Sequence, residues 1–207
     1  DLPELLIQYA DYAEWERNLL QGEILEDLVN YWRKKLSGIT PLMLPLDYSY
    51  PEQPEFLGGS VTFTIPEKTL NGLRAIVRQE NATLFMVLLA AYQVILYRYT
   101  GQENFSIGAP VAGRRRTELE PLIGFFANNL VLRADLSGKP TFLELLGRVR
   151  ETCLEAYDHQ DLPFAKLVEH LNPERRLHRN PLFEVSFQLR EAYQPQQLER
   201  LEVTRFE

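Results

Sequence analysis

The sequence is poor in the side chains that build metal centres and thiol chemistry. Its 207 residues include one cysteine, Cys153, and three histidines. A single thiol excludes an internal disulfide and is typical of a reducing compartment, so the expected location is cytoplasmic. Because a closed zinc site needs several converging His, Cys or carboxylate ligands, these counts argue against a metal centre. The sequence also has no glycine-rich phosphate loop and no Gly-x-Ser-x-Gly nucleophile signature.

Long apolar runs and an excess of positive charge are missing as well. The most apolar stretch, residues 84–92, is less than half of the ~20 residues that cross a bilayer, so it predicts a buried helix and no membrane span. The formal net charge of −7 argues against nucleic acid as a partner. A basic run such as Arg114–Arg116 most commonly lies on a solvated face. The chain begins with Asp1 instead of methionine, from which we expect it to start inside a longer polypeptide.

Apolar spacing predicts helices and strands in an α/β arrangement, with helices packed on a sheet. The 82–99 helix is apolar on nearly every face, so we expect its neighbours to enclose it more than any other element. Helices are predicted over residues 4–20, 24–36, 67–81, 82–99, 141–157 and 163–171. Strands are predicted over residues 60–65, 105–111, 129–136, 183–189 and 201–206.

His159 is the histidine whose sequence neighbours suggest chemistry. Asp158 and Asp161 lie beside it, and a carboxylate next to an imidazole can orient the ring for general-base work. A histidine at the C-terminal end of a helix is also stabilised there by the helix dipole. We favour the structural role. The residues by themselves therefore predict an α/β domain with no visible catalytic centre.

Five segments carry a family resemblance that the composition does not. In chain order, residues 9–15 (YADYAEW), 123–129 (IGFFANN), 159–164 (HQDLPF) and 179–183 (RNPLF) resemble the fourth to seventh core motifs of nonribosomal peptide synthetase condensation domains. Residues 107–114 (IGAPVAGR) are similar to a loop that precedes the fifth motif in that family. One short motif is a weak signal, but four in the same order and spacing are specific.

The resemblance implies one lobe of a chloramphenicol-acetyltransferase-like fold, which is a two-layer sandwich of a mixed β-sheet with packed helices. Members of the family join a donor aminoacyl or peptidyl thioester to the amine of an acceptor aminoacyl thioester. Both substrates are carried on the phosphopantetheine arms of peptidyl carrier proteins and enter a tunnel between two lobes. The implied partners are these carrier proteins, the N-terminal lobe and the adjacent adenylation domain. No cofactor is expected to bind the chain directly.

The reacting centre of the family lies at a His-His-x-x-x-Asp-Gly motif in the N-terminal lobe, and this chain has no adjacent histidines. We therefore expect residues 1–22 to be a crossover helix from a missing N-terminal lobe. Residues 23–207 are then the C-terminal lobe, incomplete at its C-terminal end. The chain would hold no catalytic residue, shape the substrate tunnel and be inactive alone. Orientation of tethered reactants can lower a barrier by ~7–11 kcal/mol, so shaped walls are a substantial contribution.

The matching motif positions imply a set of residues that support the tunnel or the joint between lobes. Arg114 is expected to pair across the lobes with the Asp of the missing motif, although Arg115 and Arg116 are equally placed for that role. The full set is Arg114, Phe126, Asn128, His159, Gln160, Asp161, Arg179 and Asn180.

Individual roles within this set follow from side-chain chemistry. For Asn128 the roles stay open: it bonds a pantetheine arm, orients groups of the tunnel wall, or caps a turn at the start of a strand. Asn180 precedes Pro181, which favours a chain-reversing role. Gln160 and Asp161 are expected to fix the following loop, with Asp161 accepting from the first-turn amides of the next helix. Three glycines are expected to let the backbone approach the tunnel closely: Gly108, Gly113 and Gly124.

Two rival readings accompany the condensation-domain hypothesis. An epimerization domain shares the fold, but its fifth-motif region usually departs from the type at residues 123–129. A non-catalytic module that docks carrier proteins is the other. The sequence upstream of Asp1 separates an enzyme from a docking module, because an intact His-His-x-x-x-Asp-Gly motif favours an enzyme.

Overall fold

The computed structural model describes residues 4–48, 58–173 and 179–190. Within these ranges all six predicted helices are confirmed, together with the two central strands. The largest boundary difference is at the first helix, which begins at Tyr9 and not at residue 4. In chain order the elements are α1 (Tyr9–Leu19), α2 (Gly22–Leu36), α3 (Glu67–Gln79), α4 (Leu84–Thr100), β1 (Asn104–Val111), a short 3-10 turn (Thr117–Leu119), β2 (Asn128–Asp135), α5 (Phe142–Asp158) and α6 (Phe164–Leu171).

Local capping bonds set the ends of the central helices. Thr83 precedes α4 and accepts a hydrogen bond from the Met86 amide (3.2 Å), and Gly101 ends this helix in the left-handed conformation at φ 69°. At α5, the Thr141 hydroxyl accepts from the Glu144 amide (3.3 Å), and the Glu144 carboxylate accepts from the Thr141 amide (2.7 Å). These bonds join residues close in sequence. The helix limits are therefore readable from the sequence itself.

The sheet is mixed. β1 and β2 form an antiparallel pair that runs from Asn104 opposite Asp135 to Val111 opposite Asn128. On the other edge of β1, Gly108 bridges in parallel to the 185–187 segment: its amide donates to the Val185 carbonyl (2.9 Å), and its carbonyl accepts from the Phe187 amide (2.8 Å). The predicted α/β architecture with a mixed sheet is confirmed. Alternate residues bury one face of the β1–β2 pair, each no more than 3% exposed: Phe105, Ile107, Ala109, Leu130, Leu132 and Ala134.

Two strand predictions are corrected and one falls outside the described residues. Residues 60–65 are not a strand, and the side chains of Val61 and Phe63 are 92% and 81% exposed. Alternating β-branched residues suit a pleated surface, but a strand also needs a partner, and none of the described residues pairs with this segment. Residues 183–189 contribute only the single bridge at Ser186. The strand predicted over 201–206 lies outside the described ranges.

The largest hydrophobic core lies between the sheet and helices α2, α4 and α5. Six residues of α4 are buried, more than in any other described helix, yet Ile95 and Tyr99 near its end are 53% and 71% exposed. The expected enclosure of this helix is thus confirmed except at its C-terminal turns. No single helix of the described residues is long and apolar enough to cross a membrane. The α3–α4 pair meets that test only when both helices are joined, with a 110° bend between them.

A second, smaller hydrophobic cluster lies apart from this core. Its buried members are Leu119, Leu122 and Phe126, and Tyr12 of α1 packs against them. Helix α1 itself has no buried residue. Its position therefore depends on side-chain contacts along one of its faces.

Candidate functional site

Four of the motif segments meet around one cleft of about 220 Å³, which we call the motif cleft. Helix α1 forms one wall, the loop after β1 a second, the segment before β2 a third, and the turn between α5 and α6 the fourth. The lining residues are Tyr9, Tyr12, Trp15, Glu16, Leu19, Gly113, Arg115, Phe125, Phe126, Ala127, Asn128, Gln160, Asp161 and Pro163.

The α1 wall is aromatic and packs on Phe126. The ring centroids of Tyr9 and Tyr12 lie 5.1 Å and 4.8 Å from that of Phe126, and the Tyr9 hydroxyl donates to the Phe125 carbonyl (2.8 Å). A Cβ at Gly124 would collide with the Tyr9 ring, so the close approach at this glycine is to α1. The Tyr12 hydroxyl donates to Glu16 (2.7 Å). Burial and this hydrogen bond raise the pKa of Tyr12, so its phenol stays neutral.

The arginine run reaches three different walls. The Arg114 guanidinium lies 4.1 Å from the centroid of the Phe126 ring and donates to the Leu119 carbonyl. One guanidinium nitrogen of Arg115 donates to both carboxylate oxygens of Asp161 (3.0 and 2.9 Å). The Arg116 guanidinium lies 4.7 Å from the Trp15 ring. The predicted pairing of Arg114 with an Asp of another lobe stays a prediction, and here the side chain organises its own loop.

Asn128 joins β2 to the turn before α6. Its amide nitrogen donates to the carbonyls of Gln160 (3.0 Å) and Leu162 (2.9 Å). Its amide oxygen accepts from the backbone amides of Phe164 (2.8 Å) and Asn129 (2.9 Å). These four bonds use both donors and both lone pairs of the side chain, which leaves none for a pantetheine arm in this arrangement.

The assignment of the α6 cap to Asp161 is wrong. The first-turn amide of Phe164 donates to Asn128, which lies 36 residues away in sequence, while Asp161 turns to Arg115. Sequence proximity favoured Asp161, but the fold brings the fully bonded side-chain amide of Asn128 to the same position.

The close backbone approach predicted at Gly113 is present. This glycine has φ +69°, and a Cβ there would collide with the Phe126 carbonyl.

His159 ends α5 and is held on three sides. Its Nδ1 lies 2.7 Å from the Glu155 carbonyl, so this nitrogen carries the proton, because a carbonyl only accepts. Its ring stacks on Tyr31 with centroids 3.5 Å apart, and its own carbonyl accepts from the Trp32 indole (3.1 Å). Gln160 next to it donates to the Tyr157 carbonyl (2.7 Å). The Nδ1 partner is thus a backbone carbonyl and not the flanking carboxylate of Asp158 or Asp161.

The seventh-motif segment lies at a different place. Asn180 accepts from the amides of Leu182 (3.0 Å) and Phe183 (3.3 Å), which makes a local turn, and Arg179 pairs with Glu184 (3.2 Å). Gly108 of β1 lies against the Phe183 ring. Asn180 lines a second cleft of about 400 Å³ together with the end of α2, and it does not line the motif cleft.

Sequence reasoning missed the aromatic wall as a unit. Tyr9, Tyr12 and Trp15 are spaced by three residues, the spacing that places side chains on one helix face, and this signal was present in the fourth motif. It also missed the exposed apolar side chains beside Gly124, where Ile123 and Phe125 are 95% and 79% exposed. Among the described residues, no group of three or more His, Cys, Asp or Glu side chains is placed to hold a metal ion.

A mixed sheet with packed helices and a cleft built from these ordered segments define a condensation domain. The chain belongs to the condensation domain family, whose model matches residues 1–206. The expected resemblance to nonribosomal peptide synthetase condensation domains, with their chloramphenicol-acetyltransferase-like fold, is confirmed.

Individual relatives agree with this family. The chain is 54% identical over 189 residues to part of a linear gramicidin synthase from Brevibacillus parabrevis, and the match covers 91% of this chain and 2% of that protein. Its structure is similar to the X-domain in the complex of X-domain and OxyB from teicoplanin biosynthesis, with a TM-score of 0.84, 35% identity, and coverage of 90% of this chain and 42% of that one. It is also similar to the condensation domain from the monacolin K polyketide synthase MokA, with a TM-score of 0.74, 28% identity, and coverage of 90% of this chain and 46% of that one. The chain therefore spans a small part of its synthase relative and under half of each solved neighbour.

Proposed function

We propose that this chain forms the C-terminal part of a condensation domain and that its motif cleft lines the channel in which carrier-bound thioesters meet. Residues 23–207 would be the C-terminal lobe and residues 1–22 the crossover from the N-terminal lobe. The observation that carries the proposal is the convergence of segments near residues 9–15, 113–116, 125–128 and 160–163 on one cleft. Coverage of 42–46% of the two solved neighbours supports assignment to one half of a domain.

The chemistry of the cleft suits positioning more than proton transfer. Aromatic and backbone groups form much of its walls. The carboxylate of Asp161 is paired with Arg115, that of Glu16 accepts from the Tyr12 hydroxyl, and the amide of Asn128 is fully bonded. Bond formation between two tethered substrates gains most from orientation, which can lower a barrier by ~7–11 kcal/mol. The acid–base group of the acyl transfer would then come from the His-His-x-x-x-Asp-Gly motif, which this sequence does not contain.

The partners of this function would be peptidyl carrier proteins and the neighbouring synthetase domains. Each substrate would arrive as a thioester on the phosphopantetheine arm of a carrier, so the chain itself would bind no resident cofactor. The N-terminal lobe and the adenylation domain would belong to the same cytoplasmic synthetase.

A condensation assay tests the proposal. The 207-residue chain is mixed with donor- and acceptor-loaded carrier proteins, and the dipeptidyl thioester is measured by mass spectrometry. We expect no product above a carrier-only control, whereas a condensation domain holding this chain with its N-terminal lobe should form the amide. Product from the isolated chain would contradict the assignment of its residues to a supporting half.

One comparison favours a second candidate, a non-catalytic docking module. The X-domain neighbour was solved in complex with another protein, OxyB. On this alternative the same fold would present a surface to a partner enzyme and form no amide. A degenerate His-His-x-x-x-Asp-Gly motif in the preceding sequence, together with inactivity of the complete domain, would favour this candidate.

A further inference from the structure

Three consecutive arginines each contact a different wall of the motif cleft. Arg114 contacts the Phe126 segment, Arg115 the turn at Asp161, and Arg116 the α1 side chain Trp15. We propose that Arg115 and Arg116, anchored by Arg114, are positioning residues that hold α1 and the α5–α6 turn at fixed places around the cleft. We call these three arginines and their contacts the arginine clamp. Its importance for a substrate channel rests on the proposed function, but the contacts themselves belong to this chain.

The three arginine side chains divide between different contacts. Arg116 is extended, with φ −121° and ψ 139°, and successive side chains of an extended segment leave on opposite sides. Arg114 and Arg116 both reach aromatic rings, those of Phe126 and Trp15, and Arg115 between them reaches Asp161. A solvated basic run, the commonest arrangement for such sequences, would show no such division of contacts.

Helix α1 needs such contacts more than the other helices. It has 11 residues and no buried one, and helices shorter than about 12–15 residues are marginal on their own in water. This helix packs on the second, smaller hydrophobic cluster around Phe126, which lies apart from the largest core. The Arg116 guanidinium lies over the Trp15 ring, 4.7 Å from its centroid, and so joins this helix to the loop after β1.

Arginine suits all three contacts. A planar guanidinium can stack on an aromatic ring, as at Phe126 and Trp15, and its N–H groups can donate to a carboxylate, as one nitrogen of Arg115 does to both oxygens of Asp161. The side chains of Arg115 and Asp161 are 50% and 44% exposed. Half-exposed pairs add little to global stability, so the clamp should set local position and not overall folding.

Hydrogen–deuterium exchange of the 207-residue chain tests the contact of Arg116 with Trp15 of α1. In Arg116→Ala we expect the amides of Tyr9–Leu19 to exchange roughly two- to fivefold faster, the effect of losing an exposed cation–π contact, while the urea midpoint stays unchanged. The matched control is Arg98→Ala, which removes the same charge from an exposed site on α4. Equal α1 exchange in the two variants would overturn the role of Arg116.

Tryptophan fluorescence gives a second measure of the same contact. Trp15 and Trp32 are the only two tryptophans, and Trp32 is 2% exposed, so acrylamide quenching reports mainly on Trp15. Quenching should increase in Arg116→Ala and stay unchanged in Arg98→Ala. Unchanged quenching in both variants would also count against the clamp.

Charge reversal tests the contact of Arg115 with Asp161. Arg115→Asp places two carboxylates at the pair, and exchange over residues 159–167 should rise roughly two- to fivefold. Adding Asp161→Arg restores opposite charges and should return that exchange toward wild type. The single variant Asp161→Arg completes the set. A double variant whose exchange rises by the sum of the two single-variant effects would refute the pairing. Because no substrate is used, these results are decided separately from the condensation assay.

Discussion

Replacing Asn128 by aspartate changes the hydrogen bonding of one side chain with almost no change of shape. The aspartate keeps an oxygen that can accept from the amides of Phe164 and Asn129. It lacks the two N–H donors of the wild-type asparagine, which bond the carbonyls of Gln160 and Leu162 at 3.0 and 2.9 Å. It also turns a carboxylate oxygen toward those two carbonyls. Each lost bond that leaves a buried acceptor unsatisfied costs about 1–3 kcal/mol, and the charged acceptor recovers part of this. We therefore expect a net loss of about 2–3 kcal/mol in the free energy of unfolding.

Urea unfolding at pH 7, followed by far-UV circular dichroism, measures this loss. The matched control is Asn129→Asp, which introduces the same charge at the next residue of β2, on the opposite face of the strand. The Asn129 side chain makes no hydrogen bond to the described residues, so its replacement should change stability by less than about 0.5 kcal/mol. Equal effects of the two replacements would refute the view that Asn128 joins β2 to the α5–α6 turn.

The remaining predictions concern two glycines and two side chains whose pKa is raised by burial. Gly101 and Gly113 share φ +69°, but only at Gly113 would a Cβ meet a backbone atom, the Phe126 carbonyl. Gly101→Ala should cost about 1–2 kcal/mol and Gly113→Ala clearly more in urea unfolding, and equal costs would contradict the clash. Burial raises the pKa of the Cys153 thiol to about 12, so the native protein at pH 8 should react with a thiol reagent far more slowly than the unfolded chain. Rapid native labelling would contradict that burial. Burial, with a smaller effect of Cys153, likewise raises the pKa of Tyr157 to about 12. Both groups ionise at lower pH in the unfolded chain than in the folded protein. Their contribution to the free energy of unfolding is therefore complete below pH 9.0 and should be lost as the pH rises toward 12. Urea midpoints measured across that pH range would show the loss. A constant midpoint would contradict it.

The helices could be predicted because their signals are local. Thr141 with Glu144 and Thr83 with Gly101 mark the ends of α5 and α4 through bonds within or next to each helix. Strand pairing is not local. Residues 60–65 have the same alternating pattern as β1, yet only β1 finds partners among the described residues. A pattern of side chains indicates which segment can be a strand but not what lies beside it.

The motif segments of the candidate site were visible in the sequence, but their contacts were not. Asp161 precedes α6 and was the natural candidate for its cap, whereas Asn128 comes from β2 and fills that position. For the arginine run the sequence left two interpretations open, a solvated face or a pairing of Arg114 with the other lobe. The three contacts observed depend on α1, Phe126 and Asp161 meeting from distant parts of the chain. Such long-range contacts follow from the packing of elements and leave no signature in the residues themselves.

Photo-crosslinking tests the position of the substrate channel most directly. A carrier protein bearing phosphopantetheine with a diazirine at its thiol end is added to a condensation domain that contains this chain and its N-terminal lobe, and the labelled peptides are identified by mass spectrometry. The account predicts labels on the motif cleft, around Phe125–Asn128 and Gln160–Pro163. Labels confined to the second cleft, around Asn180–Glu184, would contradict it.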